Sequence, residues 1–203
     1  GEANAGQLHP GADDNASGIA VLLDCAQQMK AQGAPSRPVL FVAFAGEESG
    51  LLGSAYYVEH PVLPLTECTA MVNLDTVGRL FANPLVVFGS NTAQQLPEVL
   101  RGVNMGFNLD LQLPEKDPGG SDQKSFVGRG VPALQLFTGA NADYHRPSLT
   151  PDKIDYAGLN RLADFTGELA RYLADRDEPL GFVPPGATAA AAQPAAGRSG
   201  SRR

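Results

Sequence analysis

The chain has 203 residues, of which 43% are hydrophobic and 18% are charged, and it carries a formal net charge of −7. This length is enough for one domain with a hydrophobic core. The acidic balance argues against a nucleic-acid partner, and no apolar stretch approaches the ~20 residues that span a bilayer.

The hydrophobic pattern predicts helices and strands in alternation along most of the chain. Apolar residues at helical spacing from Gly18 to Met29 predict a helix that ends near Gly33. The pattern then predicts, in order, a strand at 39–44, a short helix at 51–59, strands at 69–74 and 85–88, a helical piece near 92–101, a short strand at 109–113, a helix at 121–127, a strand at 131–137 and a last helix at about 155–174.

Nearly continuous apolar strands between helices are typical of a sheet that is buried on both faces. The predicted fold class is therefore α/β, with a mostly parallel, mixed sheet between two layers of helices. From about Pro184 the chain is rich in Ala, Pro and Gly, a composition that cannot bury much apolar surface. We therefore predict one domain over residues 1–182 and a disordered tail or linker over 183–203.

Four segments place Asp, Glu or His where a core element meets a loop. In order they are GADDNASG at 11–18, AGEESG at 45–50, NLDTVGR at 73–79 and DYHRP at 143–147. In parallel α/β sheets, ligands bind beyond the carboxyl ends of the strands. A group of carboxylates with an imidazole suits zinc, or cobalt and manganese as substitutes.

Glu47 and Glu48 are the most informative pair, because they follow an entirely apolar run. Consecutive side chains that leave a strand point in different directions, so one carboxylate can bind a metal while the other faces a substrate. Each segment alone also has a simple structural interpretation, such as a helix cap, a turn or a solvated loop histidine. Their joint occurrence favours metal-assisted hydrolysis.

Together with SDQKSF at 121–126 and YHRPSLTPDKID at 144–155, these segments resemble the co-catalytic zinc aminopeptidases of peptidase family M28. That family also contains glutamate carboxypeptidases and glutaminyl cyclases. The resemblance covers roughly residues 10–178 and implies a zinc-exopeptidase-like fold.

The resemblance also implies a set of metal ligands. Asp14 would bridge two zinc ions, Glu48 and His145 would complete the ligands of one ion, and Asp75 would bind the other. Glu47 would be the general base that takes a proton from the activated water. Tyr144 would donate a hydrogen bond to the developing oxyanion. A cis peptide bond is expected between Asp14 and Asn15.

One family motif, a His-x-Asp segment upstream of GADDN, has no counterpart here. His9 is a poor candidate, because the x-Asp partner is absent and His9 is too close to the Asp14 loop. We therefore expect that the chain begins downstream of this motif and lacks the family's first strands. We also expect that it binds the Glu48 and His145 ion better than the Asp75 ion and is itself weakly active or inactive.

The leading hypothesis is a zinc aminopeptidase that acts on the amino termini of peptides or proteins. The alternatives are a carboxypeptidase or a single-zinc glutaminyl cyclase on the same scaffold, or a non-catalytic binding domain. The presence of both Glu47 and Asp75 favours the two-metal enzyme. Export from the cytoplasm is favoured only by analogy with the family. The oligomeric state and the preferred substrate side chain stay open.

Overall fold

The computed structural model describes residues 4–81, 83–118 and 120–186. Five α-helices and four strands lie within these ranges. The helices are α1 (Gly18–Gln32), α2 (Leu52–Glu59), α3 (Leu96–Asn104), α4 (Gln123–Val127) and α5 (Tyr156–Asp175), and the strands are β1 (Met71–Leu74), β2 (Leu85–Phe88), β3 (Leu111–Gln112) and β4 (Ala133–Phe137). Among the described helices, none has both the length and the apolar character that crossing a membrane requires.

The four strands form one mixed sheet in the order β1-β4-β2-β3. Strand β4 runs parallel to β1 and antiparallel to β2, and β3 runs parallel to β2. The predicted mixed and mostly parallel sheet is thus confirmed. Because β1 and β4 are parallel neighbours, the loops that follow them leave the sheet at the same end, where both strands have their carboxyl ends.

Side chains of β4 alternate between two hydrophobic layers. Leu134 and Leu136 pack into the larger cluster, which also contains core residues of α1, α3 and α5. Ala133 faces a smaller cluster with Val58 of α2 and Phe126 of α4. This alternation is the period of two that a strand imposes. The predicted three-layer arrangement, with helices on both faces of the sheet, is confirmed.

The predicted strand at 39–44 is wrong for the described part of the chain. These residues join no ladder, and no backbone hydrogen bond connects them to another described segment. A cavity of about 580 Å³ is lined by this segment and by β1, together with side chains of both helical layers. The pattern is apolar enough for a strand, but a strand also needs a neighbour within hydrogen-bonding distance.

At the carboxyl end of the domain, Phe182 forms an isolated bridge with Ala93, and Val183 is buried and donates its N–H to the carbonyl of Thr92 at 2.8 Å. Residues 187–203 lie outside the described residues. The predicted domain boundary and the predicted tail therefore stay predictions.

Hydrogen exchange should separate the unpaired segment from the sheet. We expect the amides of residues 39–44 to exchange at rates typical of loops, because they lack partners among the described residues, whereas those of β4 exchange slowly. Hydrogen–deuterium exchange with mass spectrometry measures both segments in one digest. Equal protection of the two segments would contradict the structure.

Candidate metal centre

The first candidate ligand, Asp14, lies in a wide turn over Ala12–Ser17 that leads into α1. The peptide bond between Asp14 and Asn15 is cis, as the resemblance implied. The side chain of Asn15 donates to the carbonyl of Leu74 at 2.8 Å and accepts from the N–H of Gly18 at 3.1 Å. A Cβ at Gly18 would lie 2.4 Å from the Asn15 Oδ1, so this contact requires glycine. The loop is thereby fixed to the carboxyl end of β1.

Glu47 and Glu48 lie in a tight turn that leads into α2. The carbonyl of Glu47 accepts a hydrogen bond from Leu51 at 2.8 Å, and the carbonyl of Ala45 accepts one from Gly53 at 2.9 Å. A Cβ at Gly53 would lie 2.6 Å from the Ala45 oxygen, which explains the small residue at this position. The start of helix α2 therefore holds this turn, rather than a paired strand before it.

His145 belongs to the loop that follows β4. Its backbone is in the left-handed region, with φ at 57°, and its ring stacks on Tyr144 with 3.8 Å between ring centroids. The tight turn is closed by hydrogen bonds from the N–H of Tyr144 to the carbonyl of Asn141 and from the N–H of Arg146 to the carbonyl of Asp143. This geometry brings the imidazole back toward the end of β1.

Three of the predicted ligands converge. His145 Nε2 lies 3.0 Å from Asp14 Oδ2 and 2.8 Å from Glu48 Oε1. One ligand atom of each residue lies within 4.8 Å of the others, and this is the one such cluster found among the described residues. Two carboxylates and an imidazole at these separations are a donor set that zinc accepts. The residues present therefore fit the predicted metal.

Asp75 lies beside this cluster without being part of it. Its Oδ1 accepts a hydrogen bond from the hydroxyl of Thr76 at 3.1 Å, and its Oδ2 accepts a long one from the amide of Gln135 at 3.5 Å. Its charge reaches both Asp14 and Glu47, whose pKa values it helps to raise. His9 is exposed and does not join the cluster.

Acidic groups of the site are partly buried and repel one another, which raises the pKa values of Asp14 and Glu47. Burial, followed by the charges of Asp75 and Glu48, raises the pKa of Glu47 to about 7. Burial and the same two charges raise the pKa of Asp14 to about 6, against a lowering by His145. Groups whose pKa values are perturbed by burial and by specific charges are typical of functional sites. A cation bound between the carboxylates would relieve this repulsion.

Tyr144 borders the same cluster and stays a proton donor over the physiological range. Burial and the charge of Asp14 raise the pKa of its phenol to about 12. Its side chain is 38% exposed, so it is accessible from the solvent side of the site. The structure thus places all six predicted site residues at one end of the sheet, although their roles stay predictions.

Sequence reasoning assigned no role to Asp122, although the SDQKSF segment contains it. Asp122 is buried, its pKa is raised by burial and by Asp75, and its Oδ1 has no hydrogen-bond partner among the described residues. After burial and the charges of Asp75 and Glu48, the charge of Asp122 also helps to raise the pKa of Glu47. The apolar Phe126 four residues later hid this signal, because it makes the segment look like an ordinary core helix.

Fold and site together define an α/β protein with a carboxylate-rich candidate metal centre at one end of its sheet. The profile of Peptidase family M28 matches residues 3–170. The chain belongs to peptidase family M28.

Two curated proteins illustrate the similarity. Aminopeptidase YwaD of Bacillus subtilis is 32% identical over 174 residues, which cover 75% of this chain and 35% of that protein. The leupeptin-inactivating enzyme 1 of Streptomyces exfoliatus is 28% identical over 145 residues, covering 70% of this chain and 32% of the other. The chain thus spans about a third of the length of these curated relatives.

Among solved structures, the aminopeptidase from Aneurinibacillus sp. strain AM-1 aligns with a TM-score of 0.71 and 30% identity, over 87% of this chain and 42% of that one. BSAP, a zinc aminopeptidase from Bacillus subtilis, aligns with a TM-score of 0.73 and 28% identity, over 84% of this chain and 43% of that one. Both alignments support the α/β fold described above.

The raised pKa values predict how the stability of the metal-free chain depends on pH. An unfolded Asp or Glu titrates near pH 4, whereas the folded values for Asp14 and Glu47 are about 6 and about 7. The folded chain therefore binds more protons in this window, so its free energy of unfolding should fall as the pH rises from about 4 to about 7.

Chemical denaturation in the presence of a chelator, at several pH values, measures this slope. The pKa of Asp143 is lowered to about 2, chiefly by Lys153, so its stabilising contribution is lost below this window. Glu47→Gln removes one of the two groups and should flatten the slope. A free energy of unfolding that rises with pH across the window would contradict the assignment.

Proposed function

We propose that this chain forms the catalytic centre of a zinc-dependent aminopeptidase. The observation that carries the proposal is the convergence of Asp14, Glu48 and His145 on one point, with Glu47 close by. The names of the relatives YwaD and BSAP support the same activity. Because the chain spans only part of those proteins, the proposal stands mainly on the chemistry of its own residues.

The zinc ligands proposed are Asp14, Glu48 and His145 for one ion. Asp75, with Asp14 shared between the two, is proposed for a second ion. When bound, zinc would polarise a peptide carbonyl and lower the pKa of a water molecule. Among the described residues, the ion of Asp14, Glu48 and His145 would have three ligands, and the ion of Asp75 and Asp14 would have two. We therefore expect the three-ligand position to bind zinc more tightly.

Glu47 is proposed as the general base. A base works best when its pKa lies near the working pH, and burial and neighbouring carboxylates move the pKa of Glu47 in that direction. Its carboxylate would take a proton from the attacking water and pass it to the leaving amine. Tyr144 would donate its phenol hydrogen to the oxygen on which negative charge develops.

The substrate proposed is a peptide with a free amino terminus. Asp14, Glu47, Glu48 and Asp75 bring several negative charges to one end of the sheet, and Asp122 adds a buried carboxyl beside them. A cationic amino group would be attracted to those carboxylates that hold no metal ion. Because bound zinc would offset much of the cluster's charge, an assay with a free and a blocked amino terminus has to separate an aminopeptidase from a carboxypeptidase.

A glutaminyl cyclase is the second candidate, and one observation favours it. The described residues contain a single cluster of three ligands, which suits an enzyme with one zinc ion. The likeness to the Porphyromonas gingivalis glutaminyl cyclase, at 18% identity and a TM-score of 0.64, concerns the fold alone. A peptide with an amino-terminal glutamine distinguishes the two, because a cyclase releases ammonia and an aminopeptidase releases glutamine.

Zinc binding should depend on His145. We expect His145→Asn to weaken zinc binding by more than the ~10–100-fold that follows the loss of a group that only supports a ligand. Asparagine is chosen because it tolerates the left-handed backbone at this position. Isothermal titration calorimetry measures the affinity.

The matched control is His60→Ala, since His60 is exposed, stacks on Tyr56 and lies outside the cluster. Its zinc affinity should equal that of the unsubstituted chain. Equal zinc affinity of the His145 variant and this control would contradict the proposed ligand set.

Hydrolysis should depend on Glu47 without a matching loss of zinc. Glu47→Gln keeps the size of the side chain but removes the base, so we expect hydrolysis of an aminoacyl-anilide to fall ~10²–10⁴-fold while zinc affinity changes little. Glu98→Gln, at an exposed position of α3, is the control. An acetylated substrate tests the need for a free amino group.

The unvaried, zinc-loaded chain is expected to hydrolyse the anilide slowly, because the second position has few ligands among the described residues. Undiminished hydrolysis by the Glu47 variant would exclude Glu47 as the base. Equal hydrolysis of the acetylated substrate would exclude an aminopeptidase.

A further inference from the structure

Asp13 is fully buried next to Asp14, and the proposed chemistry makes no use of it. Its Oδ1 accepts hydrogen bonds from the N–H of Gly78 at 2.6 Å and from the hydroxyl of Ser17 at 3.1 Å. Its Oδ2 accepts one from the side-chain amide of Asn141 at 3.3 Å. A buried carboxylate needs such donors, and here they come from three different segments of the chain.

Arg79 extends this connection to a second carboxylate. Its Nε lies 3.7 Å from Asp13 Oδ2, and its Nη2 donates to Asp143 Oδ2 at 3.3 Å. The Arg79 side chain is only 11% exposed. Lys153 and Ser148 donate to the other oxygen of Asp143, at 2.5 Å and 2.7 Å. One guanidinium thus lies between two carboxylates that are far apart in sequence.

Asp13, Arg79 and Asp143, here called the Asp–Arg–Asp chain, connect three of the four loops that carry candidate ligands, all except the turn of Glu48. Each member stands near one candidate ligand: Asp13 precedes Asp14, Arg79 is four residues after Asp75, and Asp143 is two residues before His145. The backbone is shaped for these contacts. A Cβ at Gly78 would lie 2.8 Å from Asp13 Oδ1, so the short bond between them requires glycine.

We propose that the Asp–Arg–Asp chain positions Asp14, Asp75 and His145 for zinc, and that it acts through these ligands without touching the metal. The inference rests on the proposed function, because it assumes that these ligands bind zinc. Groups that orient metal ligands commonly set the affinity of the site. The three members are therefore positioning residues.

Stability alone is a poor explanation for this arrangement. Replacing a buried ion pair with apolar side chains is often neutral for folding, because desolvation offsets the attraction. Asp13 also adds a negative charge to a region where carboxylates already repel one another, and its pKa is raised, chiefly by burial and further by Asp75. What the charges do provide is a fixed distance between loops, since Arg79 has to reach both Asp13 and Asp143.

The experiment titrates zinc into the 203-residue chain and into Asp13→Asn, Arg79→Met and the double variant. We expect each single variant to bind zinc ~10–100-fold more weakly. The double variant should lose less than the product of the two single losses, because both changes break the same connection. The visible absorption of the cobalt-loaded proteins should shift in the same variants, as ligand geometry changes.

Leu173→Ala is the control for stability. Leu173 is a buried core residue near the end of α5, so this variant should unfold more easily but bind zinc unchanged. A similar loss of zinc affinity in this control would overturn the inference, because instability alone would then explain the effect. Unchanged zinc affinity in both Asp13→Asn and Arg79→Met, or losses that multiply independently, would overturn it as well.

Asp143→Asn provides a second route if Asp13→Asn does not fold, because the Asp143 side chain is 19% exposed. It should also weaken zinc binding, and an unchanged affinity would count against the inference. Failure of the proposed function is recognised separately. In that case the unvaried chain itself binds no zinc, before any variant is compared.

Discussion

The carboxylates of Asp14, Glu47 and Asp75 meet at one end of the sheet, and their mutual repulsion has to be balanced wherever the chain is folded. Burial removes water that would otherwise screen them, which is why burial is the largest cause of the raised pKa values of Asp14 and Glu47. Protons can balance the repulsion at low pH and a cation can do so at neutral pH. The proposed cation site therefore follows from the geometry of the fold, whichever metal it holds.

What holds the carboxylates together against this repulsion is the backbone. Asn15 fixes the Asp14 loop to the end of β1, and the first turn of α2 fixes the Glu47 turn. Glycines at 18, 53 and 78 allow approaches that a Cβ would block. The energy that keeps the acids close thus comes from packing and hydrogen bonds outside the cluster, in agreement with the general rule that strained sites are held by their surroundings.

Local patterns predicted the helices and strands well because each depends on a short stretch of sequence. The five helices and the strands at 71–74, 85–88, 111–112 and 133–137 all lie within or near the predicted ranges. Residues 39–44 failed for a physical reason, since an apolar pattern reports burial but not the presence of a neighbouring strand. Their actual environment, a cavity shared with β1, depends on contacts that are distant in sequence.

The site was predictable to the extent that its residue types are chemically distinctive. Asp14, Glu48 and His145 converge as the motifs suggested, and Asp75 lies next to them. Asp13 and Arg79 lie in the segments GADDNASG and NLDTVGR, but neither of them was assigned a role from the sequence. Their partners could not be inferred from spacing, because Arg79 and Asp143 are 64 residues apart and meet only through the parallel alignment of β1 and β4.

Asp75 and the three-residue cluster are held in different ways, and this difference bears on how the two proposed metal positions would behave. Asp75 accepts hydrogen bonds from Thr76 and Gln135, and the amide of Gln123 donates to Gln135 in turn. Strand β4 and helix α4 therefore add contacts from the sheet to the positioning that we propose for the Asp–Arg–Asp chain.

Asp14 and Glu48, by contrast, come from separate loops and meet at the imidazole of His145. Their approach is favourable only while a positive charge or a shared donor lies between them. Metal binding at the proposed three-residue position should thus be coupled to the order of its loops. We expect its affinity to depend on loop geometry more strongly than that of the proposed Asp75 position, because hydrogen bonds from Thr76 and Gln135 also hold the Asp75 carboxylate.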